Sequence, residues 1–130
     1  MQQAIVFVSH FRLKEGKLEA FREHASKTAA LLDVEKPRTL LFHVYLDEQA
    51  ERVSIVHAFA DREAMDSHVQ GAAERSRVAY ETLEPESWEV YGEPSDAALS
   101  MLRQAAQTAG VSLSMWAIHL SGFTHAPGQR

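Results

Sequence analysis

The sequence predicts an α+β fold, a ferredoxin-like unit of order β-α-β-β-α-β. Three observations predict it. Four segments alternate large apolar with smaller or polar residues at a period of two. Two segments between them carry apolar residues at spacings of three and four. Turn-forming or helix-ending residues separate the segments at Gly16, at Pro37, across 48–51 and at Pro85.

Residues 4–13 (AIVFVSHFRL) are rich in β-branched and aromatic side chains and read as a strand. Ile5, Phe7, Ser9 and Phe11 form one face of it, and Val6, Val8, His10 and Arg12 the other. After Gly16, the stripe of Leu18, Phe21, Ala25, Ala29 and Leu32 marks an amphipathic helix, which Pro37 cannot continue. Residues 39–47 (TLLFHVYLD) form a second strand, and the short polar connection 48–51 makes 52–60 its hairpin partner. Asp61 has the chemistry of an N-cap for a second helix, expected to break near Gly71 and to restart through 73–83. Pro85 closes that region and 87–93 reads as the fourth strand. Beyond it, Ala98, Leu102, Ala105 and Ala109 predict a third helix ended by Gly110, and 111–124 reads as a final strand or extended arm. The expected organisation is one domain: a unit over 1–94, and an extension over 95–130 packed on it or on a dimer partner.

Composition excludes several functions. With no cysteine, the chain has neither disulfides nor thiolate chemistry, which is compatible with a reducing compartment. A net charge of -5, with 13 basic residues scattered among 18 acidic ones, argues against nucleic acid. No apolar run reaches the roughly 20 residues of a membrane span, and the N-terminus lacks a signal peptide's basic and apolar regions. A soluble cytoplasmic protein is the expectation.

Three stretches resemble the antibiotic-biosynthesis-monooxygenase (ABM) family: FRLKEGKLEAFREHA at 11–25, TLLFHVYLD at 39–47, and IVHAFADREAMDSHVQG at 55–71. The resemblance implies a dimeric α+β barrel, in which two sheets pack face to face and each monomer keeps a pocket between sheet and helices. It also implies cofactor-free oxidation of quinol or anthrone-type small molecules. The family's haem-degrading branch fits poorly: the chain has no Asn, and Phe59 stands where that branch has Trp. A homodimer has a physical motive too, because both strand faces carry apolar residues while the two early helices can cover only one.

The candidate chemistry lies in the seven histidines. If Leu40, Phe42, Val44 and Leu46 face the helices, His43 and Tyr45 face away. Small Ala58 and Ala60 beneath the helices would add His57 to that far side, and Phe7 and Phe11 beneath them would add His10. A pocket of His10, His43 and His57 on neighbouring strands offers a general base for a phenol or hydroquinone, with Tyr45 as orienting donor. His68, where the family motif often has His, is a further candidate, and Phe59, Trp88 and Trp116 are candidates for the pocket wall. Against this stands the ordinary role of each His as a core or interface residue with a hydrogen-bond partner. The resulting reading is a monooxygenase-like enzyme with His43 or His57 as base, without cofactor or metal. The alternatives are a non-catalytic ligand-binding or stress-related dimer, and a metal-binding variant built on the three imidazoles.

Overall fold

The computed structural model describes residues 4–125 of the 130. Its elements are β1 (Ile5–Leu13), α1 (Leu18–Glu35), β2 (Thr39–Leu46), β3 (Arg52–Phe59), α2 (Arg62–Val69), α3 (Ala72–Ala79), β4 (Leu83–Tyr91), α4 (Asp96–Ala109) and β5 (Ser112–Trp116). The first seven follow the predicted order, with the second helix interrupted as expected at Gly71, whose φ of 82° is in the left-handed region. Asp61 caps α2 by accepting the Ala64 N–H at 2.9 Å, and Ser95 caps α4 by accepting that of Ala98.

The strands form one sheet of order β2-β3-β1-β4-β5. Every pairing is antiparallel except β4 with β5, which the α4 crossover makes parallel. Thus α4 and β5 extend the sheet, and Leu102 and Ala98 of α4 are buried, Leu102 in the same core as Ile5, Phe59, Met65 and Val90. A second core groups Phe11, Phe21, Val53 and Leu83. The ends of the two predicted regions, 1–3 and 126–130, lie outside the described residues.

Three expectations are corrected. The fourth strand begins at Leu83 rather than 87, and the helix before it ends at Ala79. Pro85 ends no helix; it pairs with Phe11 inside β4, where the register shifts between His10 and Phe11. Pro is tolerated there because a bulge breaks the ladder and β5 begins alongside only at Ser87. The final strand is also short: Ser112–Trp116 pairs with β4, and 117–125 continues without regular structure.

The third correction concerns strand faces. Phe7 pairs with His57 and His57 with Phe42, so all three share the side that faces the helices. On the opposite side, His10 pairs with Ser54 and Ser54 with Tyr45, while Val8 pairs with Val56 and Val56 with His43. His10, His43 and His57 therefore do not share a face. The reason is volume: Val53, Ile55 and Phe59 share parity with His57, and turning Val53 and Phe59 to the core removes far more apolar surface from water than turning Ala58 and Ala60 there.

Candidate active site

The helix-facing side of the sheet and the helices above it border a half-open cavity of about 690 Å³. Its floor is aromatic, with Phe7, Phe42, Phe59 and Trp88. Its roof mixes large side chains, such as Phe21, Met65 and Tyr80, with alanines: Ala25 of α1, Ala72 and Ala79 of α3, and Ala105 and Ala109 of α4. Alanines at these points hold the helices in place without filling the space beneath them. The volume suits a small organic ligand of several rings.

The polar atoms in this wall are few and specific. His57, in the middle of β3, lies between Phe7 and Phe59, with centroids 5.7 and 5.8 Å from its own in stacked geometry, and Phe42 meets it edge-on at 5.0 Å. His68 comes from the last turn of α2, and its ring meets His57 edge to face with centroids 4.6 Å apart. Trp88 of β4 meets Phe7 edge-on. His57 and His68 are each 7% exposed. Nδ1 of both, and Nε1 of Trp88, are buried without a hydrogen-bond partner among the described residues. A buried polar atom left unpaired costs about 1–3 kcal/mol, so three around one cavity mark a place where a ligand's polar atoms are expected.

Electrostatics keep both imidazoles neutral. Burial pushes the pKa of His57 down from 6.5 to about 4; the polar main chain of nearby Phe7 acts in the other direction, and the Arg75 charge adds to the depression. Burial pushes His68 down to about 2, helped by His57, Arg75 and Lys36. Arg75 of α3 lines the same cavity and donates to the main-chain carbonyl of His68. The site thus combines neutral imidazoles with a nearby cation, which favours a ligand that carries or develops negative charge.

The predicted residues divide between two sides of the sheet. His57, His68, Phe59 and Trp88 line the cavity. His10, His43 and Tyr45 lie on the opposite face, where His10 Nδ1 is 2.8 Å from the Ser54 hydroxyl and its Nε2 is 3.5 Å from Glu89. Trp116 is on that face as well, stacked on Tyr91. Among the described residues no three His, Asp or Glu side chains gather as metal ligands. Sequence reasoning passed over Arg75 and the part of the alanines in the roof. The repeated Ala at roof-facing positions of three helices was their only signal, and alanine in a helix ordinarily records nothing but helix preference.

The family model described as antibiotic biosynthesis monooxygenase matches residues 4–76, more than half of the chain. The chain belongs to that family. A search of curated proteins finds no match. Among solved structures, MupZ from Pseudomonas fluorescens is similar over 98% of both chains, at TM-score 0.67 and 16% identity. That alignment includes α4 and β5. SnoaB, a cofactor-independent oxygenase from Streptomyces nogalater, aligns over 71% of this chain and 94% of its own, at TM-score 0.59 and 14% identity. Protein SO0527 from Shewanella oneidensis aligns over 69% and 88%, at TM-score 0.53 and 28% identity. No helix among the described residues is long and apolar enough to cross a membrane.

Proposed function

We propose that the protein is a cofactor-independent monooxygenase that oxidises a quinol or anthrone-type aromatic molecule in the cavity between sheet and helices. The observation that carries this reading is the set of unpartnered buried polar atoms, His57 Nδ1, His68 Nδ1 and Trp88 Nε1, in an otherwise apolar wall. His57 takes the proton of a substrate hydroxyl or enol, with His68 against its ring, and the Trp88 N–H donates to the oxygen that becomes anionic. The electron-rich anion then reacts with dioxygen. For an activated ring methylene the balance is R₂CH₂ + O₂ → R₂C=O + H₂O: dioxygen accepts four electrons, one oxygen atom enters the carbonyl and the other leaves as water.

The magnitudes make the surroundings of the base essential. A phenol near pKa 10 facing an imidazole near 4 is mismatched by about 6 units, roughly 8 kcal/mol. Pairing of imidazolium with the new anion, the Trp88 donor and the Arg75 charge must offset that gap, and all act more strongly in a water-poor site. The same low basicity favours a second reading, a dimer that binds such molecules without turning them over.

A second copy belongs to the proposal. The sheet face away from the helices leaves Leu41, Tyr45, Tyr91 and Trp116 exposed, and a symmetric partner sheet covers them. The experiment is oxygen uptake with a hydroquinone and with anthrone, without added cofactor, in wild type and in His57→Ala. The proposal expects turnover that falls at least about 100-fold in the variant. Equal and negligible rates in both, with the ligands still bound, would favour the binding reading.

A further inference from the structure

Residues 117–125, after β5, contain no Asp, Glu, Lys or Arg, in a chain that is 24% charged. Ile118, Leu120 and Phe123 are 84%, 94% and 83% exposed, so this arm buries little of its apolar surface on its own molecule. Large side chains displayed this way on a segment without Asp, Glu, Lys or Arg mark a binding surface. The arm continues directly from Trp116, which lies on the outer sheet face beside Tyr91.

The other edge of the sheet carries a complementary feature. Among the described residues no strand flanks β2 on its far side, and a groove of about 360 Å³ between β2 and α1 is lined by Leu32 and Asp33 of α1 and by Thr39, Leu40, Leu41 and Phe42 of β2. The ladder with β3 shifts register between Thr39 and Leu41. That bulge leaves both Leu40 and Leu41 exposed at the edge. Thr39 Oγ1 is buried there without a hydrogen-bond partner among the described residues.

We propose that the arm 117–125 of each protomer docks in the α1–β2 groove of a second copy of this chain. The inference rests on the reading that two copies pair through their outer sheet faces. A two-fold axis running along the strands between two such sheets brings the β5 edge of one copy over the β2 edge of the other. The arm then reaches the groove, its apolar side chains cover Leu40 and Leu41, and its main chain or the Ser121 hydroxyl supplies the partner that Thr39 Oγ1 lacks. An unpaired β2 edge also offers main-chain groups to an extended segment. The exchange is reciprocal, so two arms fill two grooves and the assembly closes as a dimer.

Two measurements on the full-length chain test this. In sedimentation equilibrium, the triple variant Ile118→Ser, Leu120→Ser, Phe123→Ser is expected to dimerise about 100-fold more weakly than wild type, with unchanged circular dichroism. Because the chain has no cysteine, the pair Leu120→Cys and Leu41→Cys forms only the disulfide that proximity allows, and mild oxidation is expected to give a covalent dimer. A triple variant that dimerises as tightly as wild type overturns the arm docking while leaving the pairing of faces intact. A Cys pair that closes within one chain overturns it as well, because the arm then folds onto its own groove. A monomeric wild type overturns both the docking and the pairing of faces.

Discussion

The imidazoles of His57 and His68 meet edge to face with centroids 4.6 Å apart, and neither Nδ1 has a hydrogen-bond partner among the described residues. Three strands and a helix cap converge to make this contact. The β3 register places His57 opposite Phe7 and Phe42, and the Asp61 cap fixes the start of α2, so that His68 falls in its last turn facing the sheet.

This pair makes the fold acid-sensitive. Each His has a folded pKa below its unfolded value of 6.5, so the unfolded chain binds more protons at acid pH and folding stability rises with pH. The stability is fully present above about 6.5. The His57 share is lost as pH falls to about 4, and the His68 share continues to be lost towards about 2. For His57 the loss is on the order of 3 kcal/mol. Urea unfolding across pH 7 to 4 is expected to show this decline, and His57→Leu is expected to make it about half as steep, leaving the His68 share. An unchanged pH profile in the variant would place the acid sensitivity elsewhere.

Ser95 links two helices: its hydroxyl accepts the Ala98 N–H at 3.1 Å and donates to Asp66 of α2 at 2.6 Å. Ser95→Ala removes the cap of α4 and this bridge together. The expected cost is about 1–2 kcal/mol, read as a lower urea midpoint with an unchanged slope.

Val56 faces outward between Val8 and His43. In the proposed dimer a charge at this point is buried against the partner sheet. Val56→Asp is expected to dissociate the dimer at micromolar concentration in sedimentation, because an unpaired charge in an apolar interface is strongly unfavourable. A variant that stays dimeric would show that the copies pair through another surface.

The two sides of the sheet separate the candidate bases by function. With anthrone as substrate, His57→Gln and His68→Gln are each expected to lower turnover by about 100-fold or more. His43→Gln changes a side chain outside the cavity and is expected to retain most of it. Loss with His43→Gln alone would move the chemistry to the outer face.

Much of the fold was legible because it rests on local signals. The period-two strands, the Asp61 cap, the break at Gly71 and the Gly110 helix end are written in short stretches of sequence. Strand parity is a different kind of information. In β3 both sets of alternate residues contain apolar side chains, so small Ala58 and Ala60 beneath the helices looked as sensible as large Val53 and Phe59. Only the three-dimensional volume under α1 to α4 decides between them, and that decision carried His57 into the cavity. Pro85 misled for a related reason: its tolerance in β4 depends on a bulge and on where β5 starts, both long-range facts. Ala25, Ala105 and Ala109 were legible as members of helix stripes, but the space that their small side chains leave over the sheet depends on how the helices pack, a long-range fact.

The central claim is that the substrate binds beneath the helices, against His57 and His68. Imidazole ¹⁵N spectra of the uniformly labelled protein, recorded while anthrone is added, test it most directly. The account predicts that the ring nitrogens of His57 and His68 shift to saturation while those of His10 and His43 stay in place. Shifts at His10 and His43, with His57 and His68 unmoved, would contradict it.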